Sequence, residues 1–399
     1  FYIPGSDTCI KIGGRVRAEY RYLEPAWSVP GEGRRRDVTG TRALGRINVD
    51  ARTATEWGTL RAFIQVDVNA YTGVYNQQPG PTSDSNGSVS LDKAYIQWAG
   101  ITAGRISSFF DFYASAINFG SGVMGSLGSD DGSVNVLAYT ATFGNGFSAT
   151  LALEDRSSQV RSVYGEGDGV NAVVVNGPAV GNLLAGQRAP SLVANLRVDQ
   201  GWGSAQLSGV VQQLNTIALD AAGRRIDDEY GYAIQAGVKF NLPMLAAGDA
   251  LWLQAAYADG AVGRLGLNAV TSFGLLEGEA VDGAVINGSI KRTKGWGVTA
   301  ALLHYWTPSV RQAVFGNYTA VDYSAQAFNT YGFNDFKIWT VGTNLIWSPV
   351  KAFDIGVEVL YQKLDPRGTT FLANGAGDII AARSSEDIWE ARIRFQRDF

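Results

Sequence analysis

Five arginines recur at spacings that put them on one side of an extended chain. Arg15 and Arg17 lie two residues apart, Arg42 and Arg46 four apart, and Arg61 falls in a third segment. Strand side chains alternate between two faces, so residues an even number apart share a face. The residues between them are apolar or small: Gly14, Val16 and Ala18, then Ala43, Gly45 and Ile47, then Leu60 and Ala62. A guanidinium keeps its charge, and leaving it unpaired in a dry interior costs several kcal/mol, so the arginine face must meet water. Three acids, Asp111, Asp130 and Asp131, sit in the one long stretch without a two-residue period, residues 107–133. Guanidiniums facing carboxylates across water create a transverse field, which orients dipolar solutes and filters ions by charge. The competing reading is that these charges pair along a wall, are solvated, and only stiffen it.

Bond-making chemistry has little to draw on. His304 is the single imidazole, set among aromatics in LLHYW, and Cys9 is the single thiol. Hydrolysis by a nucleophile needs a base and an orienting group beside it, and zinc needs a cluster of Cys and His. No catalytic residue, metal or cofactor is therefore expected. The aromatics FFDFY at 109–113 read as loop packing rather than a track for sugars.

The elements that position the charges are strands. The final segment, IWEARIRFQRDF, alternates without a break. Trp389, Ala391, Ile393, Phe395 and Phe399 share one face, and Glu390, Arg392, Arg394, Gln396 and Asp398 the other. One apolar face bracketed by aromatics and one charged face suit a strand between lipid and an aqueous lumen. Residues 11–22, 42–52 and 60–68 repeat the pattern, separated alternately by long polar segments and short turns. Residues 296–320 show no clear assignment of faces. The spacing fits fourteen to eighteen strands, and sixteen best, a number that leaves an aqueous channel.

Composition agrees. No run of about 18 apolar residues exists, which excludes a transmembrane helix. Mean hydropathy of −0.03 is compatible with a membrane barrel, because only alternate residues meet lipid. No linker or charge block divides residues 1–399, so one barrel domain is expected. A net charge of −4 argues against nucleic acid as a partner. The chain starts at Phe1 without an initiator Met, as expected after removal of a leader or trimming.

The opening FYIPGSDTCIKIGGRVRAEYR, the segments LDKAYIQWAGITAGR and WTVGTNLIWSPVKAFDIGVEVLYQKL, and the ending RIRFQRDF resemble the alphaproteobacterial general porins of the rhizobial type. The resemblance runs end to end and is weakest in the loops. It implies an all-β, transmembrane antiparallel barrel of sixteen strands in the outer membrane of a Gram-negative bacterium. It further implies homotrimers, and a third extracellular loop, here 107–133, folded inward as a constriction. Members of that family carry upstream residues with a second Cys able to pair with the one at Cys9. The expected function is passive diffusion of ions and small hydrophilic solutes, with outer-membrane lipids and lipopolysaccharide around the barrel. The alternative is a substrate-selective channel, for sugars for example, which needs an aromatic track where the lumen faces here are mostly charged or amide. An outer-membrane enzyme, which the single His disfavours, is the third reading, and a soluble β-sandwich or barrel binding module the fourth.

Overall fold

In the computed structural model the chain forms a closed antiparallel barrel of sixteen strands. The structure describes residues 7–23, 37–75, 86–113, 117–120, 132–156, 160–166, 173–174, 179–267, 270–273, 276–327, 334–368, 370–373, 379–383 and 385–399. The barrel strands are β1 (Thr8–Leu23), β2 (Thr39–Thr55), β3 (Gly58–Tyr71), β4 (Asn86–Trp98), β5 (Ile101–Ser107), β6 (Ser133–Gly144), β7 (Phe147–Glu154) and β8 (Ser191–Gln200). They continue as β9 (Gly203–Leu214), β10 (Glu229–Asn241), β11 (Ala250–Asp259), β12 (Lys294–Thr307), β13 (Val310–Asp322), β14 (Phe336–Val350), β15 (Phe353–Pro366) and β16 (Glu386–Asp398). Each pairs with the next in sequence order, and β1 closes on β16, where Arg15 stands opposite Asp398 and Glu19 opposite Arg394. Closure leaves no unpaired sheet edge, which a strand in hydrocarbon cannot tolerate.

The alternation read from the sequence is the alternation of the wall. Outward side chains are large, apolar and exposed: Val16 and Ile47 at 58% and Leu196 at 60%. Their inward neighbours are polar and covered, with Gln235 at 1% and Glu19 at 2%. A soluble protein shows the reverse, so the outer face is matched to lipid. The seven short connections gather at one rim with the chain ends, and eight longer ones at the other. The turn between β6 and β7 is Asn145-Gly146, with φ of 50° and 79°. Two positive φ values in sequence match the twist of a tight hairpin. At the same rim the main chain of Phe399 exchanges hydrogen bonds with that of Gly14, at 3.1 and 2.9 Å. A Cβ at Gly14 would lie 2.5 Å from the Phe399 ring, so the bare glycine makes room for the terminal aromatic.

Near the other rim, outward aromatics touch from strand to strand. Tyr232 lies 6.4 Å from Tyr257, Trp296 5.1 Å from Tyr318, Tyr318 4.3 Å from Trp339, and Tyr361 4.9 Å from Trp389. This is the belt expected where hydrocarbon meets headgroups.

The interior is not evenly wet. A buried apolar cluster joins Phe110, Tyr113, Val262, Leu265, Phe315 and Leu360. It fills the space between the inner wall, the segment after β5 and a helical turn at Val262–Leu265. This explains why residues 296–320 defied assignment. Inward Ala301, Ala313 and Phe315 pack against that cluster and are apolar, so both faces of β12 and β13 read alike.

Candidate functional site

The arc from β16 through β1 to β4 carries the charged wall. Adjacent strands lie about 4.8 Å apart, so inward side chains on neighbouring strands meet. Arg15 binds Asp398 at 2.6 Å, and Arg17 donates twice to the Gln396 amide oxygen at 2.9 and 2.7 Å. Arg42 donates to Asn69 at 2.9 Å and lies 3.6 Å from Glu19. Arg46 grips Asp67 with two hydrogen bonds of 2.7 Å and lies 3.6 Å from Asp92. Arg61 grips Asp50 with two of 3.0 Å and donates to Gln97. The structure therefore brings Arg15, Arg17, Arg42, Arg46 and Arg61 onto one continuous wall. It adds a carboxylate or amide beside each that the sequence pattern did not assign.

At three of these pairs the acid lies deeper than the base. The Arg42, Arg46 and Arg61 side chains keep 28%, 23% and 27% of their surface, whereas Glu19, Asp67 and Asp50 keep 0%, 10% and 13%. At Arg15 the order is reversed, its side chain keeping 26% of its surface against 43% for Asp398. Glu19 is a hub: Arg394 Nε donates to it at 2.7 Å, and Arg392 Nη1 lies 3.7 Å away. Arg21 binds Glu390 at 2.6 Å in the same buried group.

The segment after β5 turns into the barrel and follows the opposite wall. Glu154 at the end of β7 accepts the Phe109 amide at 2.9 Å and the Ser108 hydroxyl at 2.9 and 3.0 Å. Arg264, from the helical turn, meets the same carboxylate at 3.2 Å and lies over the Phe110 ring. Side-chain amides of Asn195, Gln235 and Gln206 then bond the carbonyls of Phe109, Phe110 and Asp111 at 2.7, 2.9 and 2.9 Å. Gln254 accepts the Tyr113 amide at 2.9 Å. Phe112 fits only because Gly237 is bare, since a Cβ there would overlap its ring. Burial pushes the Tyr113 hydroxyl well above its ordinary pKa.

Residues 117–120 continue the path toward the charged arc. Asn344 donates to the Ile117 carbonyl at 2.6 Å, and Glu358 accepts the Phe119 amide at 2.7 Å. Arg394 donates to the Phe119 carbonyl at 2.6 Å with its guanidinium 4.0 Å from the ring centre, and Arg392 reaches the Gly120 carbonyl at 2.6 Å. The described parts of the segment thus touch β7 at one end and β16 at the other.

Asp111 falls where the segment lies on β9, which stands eight strands from β1 in a ring of sixteen. It is on the wall facing the arginine arc. Asp130 and Asp131 lie outside the described residues. The anchors Glu154, Glu358, Gln254, Arg264, Arg392 and Arg394 escaped the sequence reading as site residues. Parity placed Arg392 and Arg394 on the charged face of the final segment, but a side chain that grips a distant backbone group leaves no local signature. Phe110 and Tyr113 are buried in the apolar cluster, as the packing reading of FFDFY expected. His304 lies at the short-turn rim, where Nδ1 pairs with Asp249 at 2.6 Å and the Trp306 ring meets it edge-on. Asp249 also accepts the Tyr305 amide at 2.8 Å.

Comparison with known proteins agrees with this geometry. The family described as porin subfamily matches residues 1–389. Porin Omp2b of Brucella suis is 26% identical over 408 aligned positions, covering 100% of this chain and 88% of that protein. Porin Omp2b of Brucella abortus strain 2308 is likewise 26% identical, covering 100% and 87%. Among solved structures, the outer membrane channel DcaP of Acinetobacter baumannii superposes with a TM-score of 0.69 at 18% identity, covering 100% of this chain and 99% of that one. OmpF of Salmonella typhi, solved with daunomycin, gives 0.54 at 13% identity with 100% and 99% covered. The two structures share the fold, and the family match extends the likeness to kind. The chain belongs to the porin subfamily, a channel-forming β-barrel of the Gram-negative outer membrane.

Proposed function

We propose that this porin is a general diffusion channel, passing ions and small hydrophilic solutes passively through a water-filled lumen. Size and charge are screened where the inward segment crosses the barrel opposite Arg15, Arg17, Arg42, Arg46 and Arg61. One observation carries this reading. The segment is pinned at two places by buried carboxylates, Glu154 and Glu358, so it stays across the lumen and narrows it against the charged arc. Asp111, Asp130 and Asp131 supply the negative side of a transverse field, and the wall guanidiniums supply the positive side. The barrel assembles as a homotrimer surrounded by outer-membrane lipid and lipopolysaccharide.

Planar-bilayer recording in a salt gradient tests the reading. Ohmic steps closing in threes are expected, with a reversal potential that shifts when Asp111, Asp130 and Asp131 are neutralised together. Liposome swelling with sugars of graded size should fall smoothly with size and show no saturation. Absence of current, or saturating uptake of one sugar, overturns it.

A further inference from the structure

Lys239 is a cation of the inner wall held by a ring instead of an acid. On β10 it shares the parity of Gln235 and Gly237, which meet the inward segment at Phe110 and Phe112. It follows Gly237 by two residues toward the short turns, so it stands in the lumen immediately on the short-turn side of that segment. Its ladder partners are Ser204 of β9 and Trp252 of β11. The wall arginines each lie beside a carboxylate or an amide, whereas Lys239 makes neither a hydrogen bond nor an ion pair among the described residues. Its ammonium lies over Trp252, 5.1 Å from the ring centre. An ammonium carries three donors, and a ring face leaves most of them open to a ligand oxygen.

Two rings flank this cation. Trp252 packs, half-buried, against the apolar cluster, which fixes the indole at the edge of the lumen. Phe112 lies against Gly237 on the segment above, with the Arg197 guanidinium 5.8 Å from its ring centre. Within FFDFY, Phe110 and Tyr113 are buried, but Phe112 keeps open surface. Packing alone therefore does not account for this third ring of the motif. The acid beside Ser204 in the ladder, Asp199, is already gripped by Arg197 at 2.7 and 2.9 Å. Arg197 and Asp199 cancel each other, which leaves Lys239 as the excess charge on these strands.

We infer that Lys239, Trp252 and Phe112 form a luminal binding site for aromatic monocarboxylates. The carboxylate meets the Lys239 ammonium, and the flat ring lies against the indole and the Phe112 ring in the offset or edge-on arrangements that aromatic pairs prefer. A neutral sugar leaves the ammonium without a counter-charge, and a short aliphatic acid leaves the rings uncovered. A second carboxylate on the solute would meet Asp199, whose side chain keeps 54% of its surface, so one negative charge fits better than two. The site deepens the diffusion reading and rests on it, because a solute reaches this row only through the lumen.

The test uses the full chain in planar bilayers and folded in detergent. Benzoate, acetate and benzyl alcohol are added in turn at equal concentration during recording. Benzoate is expected to lower the mean current along a saturating curve with added open-channel noise, and the other two to do neither. Lys239→Gln should raise the half-blocking concentration about tenfold, as expected for loss of one charged contact, and Trp252→Leu about threefold. Lys239→Arg should keep the block. Equilibrium dialysis of radiolabelled benzoate against the folded barrel, compared between wild type and Lys239→Gln, reads the site without current. Benzoate acting no more strongly than acetate, or equal half-blocking concentrations for wild type and Lys239→Gln, overturns the site and leaves the diffusion channel standing. Absence of current overturns the channel, and the dialysis difference then decides the site. If Lys239→Gln does not fold, benzoate against acetate on the wild type decides alone.

Discussion

Arg15 on β1 and Arg46 on β2 are direct partners in the ladder, two like charges facing the lumen side by side. Such a pairing is unfavourable by itself. It is tolerated because each guanidinium turns to an acid on its far side, Arg15 to Asp398 on β16 and Arg46 to Asp67 on β3. The two guanidiniums share the lumen face with Asp398, which keeps 43% of its side-chain surface against 26% for Arg15, while Asp67 lies deeper at 10%.

Removing this pair should therefore change selectivity more than stability. Arg15→Ala with Arg46→Ala exposes Asp398 and Asp67 without partners, and the lumen gains net negative charge. The reversal potential in a salt gradient should move toward cations, most strongly at low ionic strength, where screening over about 10 Å is lost. Asp67→Asn should move it the other way.

The anchors of the inward segment should control noise and closure. Glu358→Ala leaves the Phe119 amide and the Asn344 side chain without their acceptor, at a cost of about 1–3 kcal/mol for a buried group left unsatisfied. Open-channel noise should rise and closure should need less voltage. Glu358→Gln retains an acceptor oxygen and should restore most of the quiet behaviour.

Glu154→Ala should be more severe. It strips Ser108 and Phe109 of their acceptor and leaves Arg264, 1% exposed, without its carboxylate. Breaking a buried ion pair from one side costs about 3–5 kcal/mol. Urea unfolding of the folded barrel should shift accordingly, and Glu154→Gln with Arg264→Met should recover much of the loss. Equal midpoints for Glu154→Ala and wild type would refute the clamp.

One pH effect follows from the long connections. Asp282 is fully buried there, and burial pushes its carboxyl up to about 6 against the donation of the Arg161 and Val262 amides and the Gln212 side chain. A folded pKa above the usual 3.8 means this group contributes stability below pH 3.8, and loses it as pH rises through about 6. Protection of the Val262 amide from exchange should therefore improve on acidification from pH 7 to 4. Other acids near this rim respond differently, so the measured quantity is the difference between wild type and Asp282→Asn, which should lack this component.

The barrel was legible because a wall between lipid and water imposes a two-residue period, and that period survives in any strand whose inner face is wet. Residues 11–22 and 388–398 show it, and the five arginines were placed on the inner face by parity alone. Residues 296–320 did not show it, since Ala301 and Phe315 face an apolar cluster built by chain far away in sequence. The site was legible as a set of charges and illegible as a set of contacts. Asp111 and the arginines could be nominated by composition, but the carboxylates that pin Phe109 and Phe119 could not, because a hydrogen bond between residues 45 or 239 positions apart leaves no local mark. Lys239 and Trp252 make the same point from the lumen. The sequence by itself determined that one stretch carries a lysine and a later one a tryptophan. Only the folded barrel decided that the two meet, because their pairing is fixed by register between β10 and β11, a relation between strands that no single strand encodes.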